Sequence, residues 1–148
     1  MSYVWAVVLA GHVLAVAWWV GGQLLLRSIT PSLREALEPR TFAAALRPMG
    51  QRFTRGSHHV AWPLLLVTGV LLAAHDHVLA HGGRSALGVV FGLKMVVVVG
   101  LVVASLAHGR AARARSERAG HYARLTLALS LAAALLGALV ASLPSPGA

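Results

Sequence analysis

Long apolar runs, separated by short stretches rich in arginine, dominate the chain. Four runs cover residues 3–26, 60–74, 87–107 and 122–143. A helix needs about 20 apolar residues to cross the hydrocarbon core of a bilayer. The run at 60–74 is short, but His58, His59 and His75 extend it into the interfaces. Nothing alternates with period two, so no sheet pattern competes. The pattern predicts an all-α fold, an integral membrane four-helix bundle forming one domain over 1–148. Its helices are expected at about 3–26, 58–76, 87–108 and 121–143. The first run has no basic segment before it and is too long for the apolar core of a secretory signal. It therefore reads as a retained helix.

The connections are unequal in charge. Arg27, Arg34, Arg40, Arg47, Arg52 and Arg55 flank or lie in the first. Arg110, Arg113, Arg115 and Arg118 lie in the third, with Arg124 just after it, and the second holds only Arg84. The positive-inside rule places the first and third connections in the cytoplasm. Both termini and the loop at 75–86 then face the outer, periplasmic side of a bacterial inner membrane. Within the first connection Phe42, Leu46, Met49 and Phe53 recur at helical spacing, with Arg47 and Arg52 between them. That spacing predicts a short amphipathic helix at about 41–54 on the inner leaflet, an anchor for the bundle or a surface for a partner. Pro31, Pro39 and Pro48 limit its length.

Composition agrees with a membrane location. Of 148 residues 57% are hydrophobic and 11% charged, against roughly 25% charged in a soluble domain. Thirteen Lys+Arg face four Asp+Glu. In a membrane protein this excess is loop charge rather than a nucleic-acid footprint. The expected partners are the lipid bilayer and a second copy or a larger membrane complex, with no nucleic acid. The chain has no cysteine, which excludes disulfides, thiolate metal sites, iron–sulfur clusters and cysteine nucleophiles. No Ser-His-acid set, phosphate-cradling glycine loop or carboxylate pair is present. The apolar runs hold no acidic residue, which argues against a carboxylate proton relay. Three methionines are too few for a Cu(I) path.

Two ionisable residues interrupt the apolar runs, His12 and Lys94. Such residues are costly in hydrocarbon and usually functional. Both fall roughly 10–14 Å below the outer surface. If the first and third helices are neighbours, they share one site in the outer half. The face of His12 continues through Val16, Trp19 and Gln23, with Gly21 and Gly22 beside it permitting close helix approach. His12 reads either as a core histidine bonded across helices or as a ligand to haem or metal. Lys94 reads either as snorkelling outward or pairing with Asp76, or as holding an anion such as a haem propionate.

Eight histidines is a high count. His75, His77 and His81 gather at the outer end of the second helix and in the loop after it. With Asp76 they form a set of nitrogen and oxygen donors suited to Cu(II), Zn or Ni, or alternatively an interfacial polar segment. His58, His59, His108 and His121 stand at three helix ends on the inner side, either as a second cofactor site or as interfacial filling. One face of the third helix links Lys94, Leu101, Ser105 and His108.

Three stretches carry a family resemblance. The first helix reads Gly11-His12-Val-Leu-Ala-Val-Ala-Trp18-Trp19-Val-Gly21-Gly22. The second opens on Arg52-Phe53-Thr-Arg55 and continues to Val-Thr68-Gly69-Val, and the third carries Gly-Leu-Lys94-Met. From Gly11 to His108 the chain resembles the copper-resistance D (CopD) family of bacterial inner-membrane proteins and the related HemJ-type protoporphyrinogen oxidases. The resemblance implies a four-helix bundle, with His12 as cofactor or metal ligand and Lys94 as its functional partner. The CopD branch implies copper handling at the membrane, and the HemJ branch haem b and porphyrinogen oxidation. Before the fourth helix this chain reads Gly120-His121-Tyr-Ala-Arg124, where the HemJ branch has an Asn-Glu-x-Pro signature. The leading expectation is a CopD-like membrane protein binding copper or haem in its outer half. The alternatives are a HemJ-like haem b oxidoreductase and a non-catalytic subunit or assembly factor of a membrane complex.

Overall fold

The computed structural model of the protein describes residues 2–75 and 85–143. The chain is all-helical, with no strand among the described residues. Four helices, Tyr3–Ala36, Pro39–His75, Ala86–Arg113 and Arg118–Ser142, are long and apolar enough to cross a membrane. This is the pattern of a multi-pass membrane protein in a lipid bilayer. Large apolar side chains such as Leu66, Val96 and Leu135 are about 70% exposed, as suits surfaces solvated by lipid. The buried positions are mostly small: Ala15, Ala61, Ala73, Ala104, Ser57 and Ser130. Small residues let helix backbones approach where hydrocarbon solvent gives apolar burial no advantage.

The chain divides into two helical units, Met1–Leu72 and Ala73–Ala148. The first is built from α1 (Tyr3–Ala36), α2 (Pro39–Gly56), a π-helical turn (Ser57–Ala61) and α3, Trp62–His75. The second holds α4 (Ala86–Arg113) and α5, Arg118–Ser142.

In the first unit α1 runs past its apolar stretch to Ala36 and carries Pro31 inside it. Pro31 has no N–H for the carbonyl of Arg27. Nearby hydroxyls occupy other carbonyls of that stretch: Ser28 donates to Leu25 and Thr30 to Leu26. The helix ends where Pro39 forces the residue before it to extend, Glu38 having φ −59° and ψ 151°. Pro39 then opens α2 as a first-turn proline.

The amphipathic segment expected at 41–54 is α2, but it is no separate surface helix. It continues through the π turn into α3 as one helix of 37 residues, about 55 Å long against a hydrocarbon core of about 30 Å. Pro48 lies inside it rather than ending it. Its apolar stripe faces α1. The Arg34 guanidinium lies 5.6 Å over the Phe42 ring, and Phe53 stacks on Trp19 at 5.8 Å. Gly22 is the residue that allows this, since a Cβ there would stand 2.2 Å from the Phe53 ring.

The π turn closes with the Trp62 N–H bonding back to the Ser57 carbonyl. It ends just before Pro63, whose ring in α geometry crowds the carbonyl four residues earlier. The backbone of α1 lies close to α2 and to the π turn but reaches α3 only through side chains.

In the second unit α4 and α5 form an antiparallel hairpin. Ser85 caps α4, its Oγ accepting from the Gly88 N–H at 3.1 Å. The other end is a Schellman turn. Ser116 N–H bonds the Ala111 carbonyl at 2.9 Å and Arg115 N–H bonds Ala112 at 3.2 Å. Arg115 sits at the left-handed position, φ 52°, that glycine favours.

Two outcomes are expected. Gly22→Ala destabilises the detergent-solubilised protein by about 1–3 kcal/mol, and adding Phe53→Leu recovers part of the loss. Thermal unfolding of the two single variants and the double variant reads the coupling, and strictly additive effects would show that the ring is not the obstacle. Arg115→Gly stabilises the α4–α5 turn by about 0.5–1 kcal/mol, seen as a higher unfolding midpoint. A lower midpoint would contradict the strain assigned to Arg115.

Candidate cofactor site around His12

His12 is half-buried on α1 and faces α3. Its Nδ1 lies 2.8 Å from Thr68 Oγ1, and the Thr68 hydroxyl donates to the Leu64 carbonyl. A hydroxyl has one proton to give. With that proton on Leu64, the Thr68 oxygen accepts from His12 Nδ1–H. The neutral imidazole therefore carries its proton on Nδ1 and its lone pair on Nε2. Second-shell bonds of this kind fix the tautomer of ligating histidines.

The residue after Thr68 supplies the space. A Cβ on Gly69 would stand 3.4 Å from His12 Cε1, and one on Gly11 would stand 3.9 Å from both Leu64 and Thr68 side chains. Thr68 holds the ring and Gly69 makes room for it. Two turns along α1, Trp19 is buried and meets Trp62 edge-on at 5.0 Å as well as Phe53. Gln23 bonds the Trp19 carbonyl at 3.2 Å. The predicted stripe of His12, Val16, Trp19 and Gln23 is thus the inward face of α1, buried or half-buried at every position.

Lys94 belongs to the second unit. It is half-buried on α4, and a Cβ on Gly137 of α5 would stand 3.4 Å from its Nζ. The same face of α4 carries Leu101, which is buried, and Ser105, whose Oγ is buried with no hydrogen-bond partner. At its inner end His108 Nδ1 donates to the Ala119 carbonyl at 3.0 Å, tying the end of α4 to the start of α5. Sequence reasoning assigned His108 to a possible inner cofactor cluster, and its observed work is this tie. His58 Nδ1 donates to the Thr54 carbonyl of its own helix at 3.0 Å, and His121 leans edge-on against Tyr122.

His75 closes α3 and is half-buried, while Asp76, His77 and His81 lie outside the described residues. Among the described residues no three His, Asp or Glu side chains converge as metal ligands. Thr68 was legible only as half of a Thr-Gly pair. The widened turn before Trp62, which sets how α3 faces α1, has no spacing signal beyond Pro63. Comparison with family models, curated proteins and solved structures finds no match to this chain.

Thr68→Val removes the acceptor of His12 Nδ1–H, at a cost of about 0.5–1.5 kcal/mol. Ring ¹⁵N shifts of His12 should report the Nδ1–H tautomer in the parent protein and in Thr68→Ser. In Thr68→Val they should move toward the Nε2–H form. The same shifts in all three proteins would refute the assigned donor and acceptor.

Proposed function

We propose that the chain is a bacterial inner-membrane protein whose four helices form one bundle, and that it binds haem b through His12. Both termini and the segment 76–84 face outward in this reading, which places the arginine-rich connections inside. The observation that carries it is the bonded series His12–Thr68–Leu64. It presents Nε2 as the basic nitrogen, the state in which an imidazole ligates haem iron.

The donor set also favours haem over a bare ion. A metal held by protein alone needs several converging side chains, and the described residues offer none in threes. A haem brings four nitrogens of its own and asks the protein for an axial ligand. When bound, it supplies one-electron exchange within the membrane. Lys94 is the cation proposed to hold a propionate at the wetter edge of the site. The resemblance to the CopD and HemJ-type proteins supports this reading, because its motif residues make side-chain contacts with one another. His12 meets Thr68 and Gly69, and Trp19 and Gly22 meet Phe53. Copper handling is the second reading, carried by the donor-rich sequence His75, Asp76, His77 and His81.

Protein purified in mild detergent after haem-supplemented growth should show a Soret band, with α and β bands on dithionite reduction. His12→Ala should remove them, while Thr68→Ser retains them. A colourless preparation containing copper would favour the second reading. A colourless, metal-free protein that copurifies with larger subunits would favour an assembly or scaffold role.

A further inference from the structure

The first unit carries an open groove of about 380 Å³ that does not include His12. Ala15 and Trp18 line it from α1, and Gly56, Val60, Ala61 and Leu64 line it from the other side. Its origin is the change in helix separation described above. The backbone of α1 lies close to the π turn, but not to α3. Ala15 and Ala61, 3% and 2% exposed, are too small to fill the resulting gap. Gly56 lets Trp18 lean in as a wall, since a Cβ there would stand 2.9 Å from the indole. Trp18 itself stays 54% exposed. The lining side chains are all apolar and offer no hydrogen bond.

One end of the groove is charged. Arg52 stands one helical turn before Gly56 on the same face, and Arg55 is next to Gly56. Both arginines are exposed. The carboxylates of residues 1–75 are Glu35 and Glu38 alone, at the far tip of the hairpin. Arg52 is 14 positions from Glu38 along the chain, roughly 20 Å of helix. A ligand for this surface therefore needs a negative charge and a hydrocarbon chain in one molecule, placed where the apolar run gives way to arginine.

We propose that this groove binds an anionic phospholipid, with its phosphate at Arg52 and Arg55 and an acyl chain along Trp18, Val60 and Leu64. The surface is separate from His12 and independent of any cofactor held there. An arginine near the membrane surface favours anionic over neutral lipid by about fivefold, and the groove fixes the chain beside one tryptophan.

The test uses the full chain in mixed micelles containing phosphatidylglycerol or phosphatidylcholine with brominated acyl chains, which quench nearby indoles. Phosphatidylglycerol should quench at about one-fifth the mole fraction that phosphatidylcholine requires. Trp18→Phe should remove most of this difference, and Arg52→Gln should bring the two lipids close together. Val60→Phe alters an exposed position and should block the chain, lowering quenching by phosphatidylglycerol while the helical circular dichroism is unchanged. His12→Ala should leave the preference intact, which separates this result from the cofactor reading. Equal quenching by both lipids in the parent protein would overturn the proposal. So would a preference that survives Arg52→Gln, or a Trp18 shielded from both lipids by a second copy of the chain.

Discussion

The hydrogen bond between His12 and Thr68 is the polar tie between α1 and α3, helices whose backbones do not otherwise meet. In a bilayer two apolar helix faces gain little by leaving lipid for each other, so such ties and close small-residue contacts decide the arrangement. Here both kinds occur in one unit. Gly69 and Gly11 let the ring and the hydroxyl meet, and Gly22 lets Phe53 reach Trp19. The imidazole that tethers α3 is also the group best suited to ligate a cofactor. Anchoring and chemistry therefore use opposite nitrogens of the same ring.

The number and apolar spans of the helices were legible because the bilayer fixes their length. Runs of about 20 apolar residues have few alternatives. The ends were less legible. Residues 27–36 are polar and carry a proline, and nothing in their composition distinguishes a loop from a helix supported by packing against α2. The stripe of Phe42, Leu46, Met49 and Phe53 was legible as an amphipathic helix, but its partner was not. A stripe of this kind reads the same whether it covers lipid or protein, and here Phe42 and Phe53 turn to Arg34 and Trp19.

The site was legible in its chemistry and obscure in its contacts. His12 stood out because an imidazole in an apolar run demands a partner. The partner is a threonine 56 residues away, and no local spacing points to it. His108 shows the opposite error. Its imidazole suggested a ligand, yet it serves a backbone carbonyl, an acceptor that every residue possesses and no sequence displays. Ser57, Ser105 and Thr126 bury hydroxyls without hydrogen-bond partners among the described residues. They are better understood as small side chains that let helices approach than as polar signals.

The π turn also bears on how this chain tolerates insertion and deletion. Each residue of an α-helix turns the chain by about 100°, and a π turn holds one residue more than its α equivalent. Loss of a single residue from Ser57–Ala61 would leave a helix of nearly the same length and hydrophobicity. It would nevertheless rotate α3 about its own axis and carry Thr68 off the side that meets His12. Hydropathy would be preserved while the pairing was lost. Descent with intact membrane spans is therefore compatible with abrupt loss of the His12 tie, and residue count between Phe53 and Thr68 is the trait by which its inheritance can be followed.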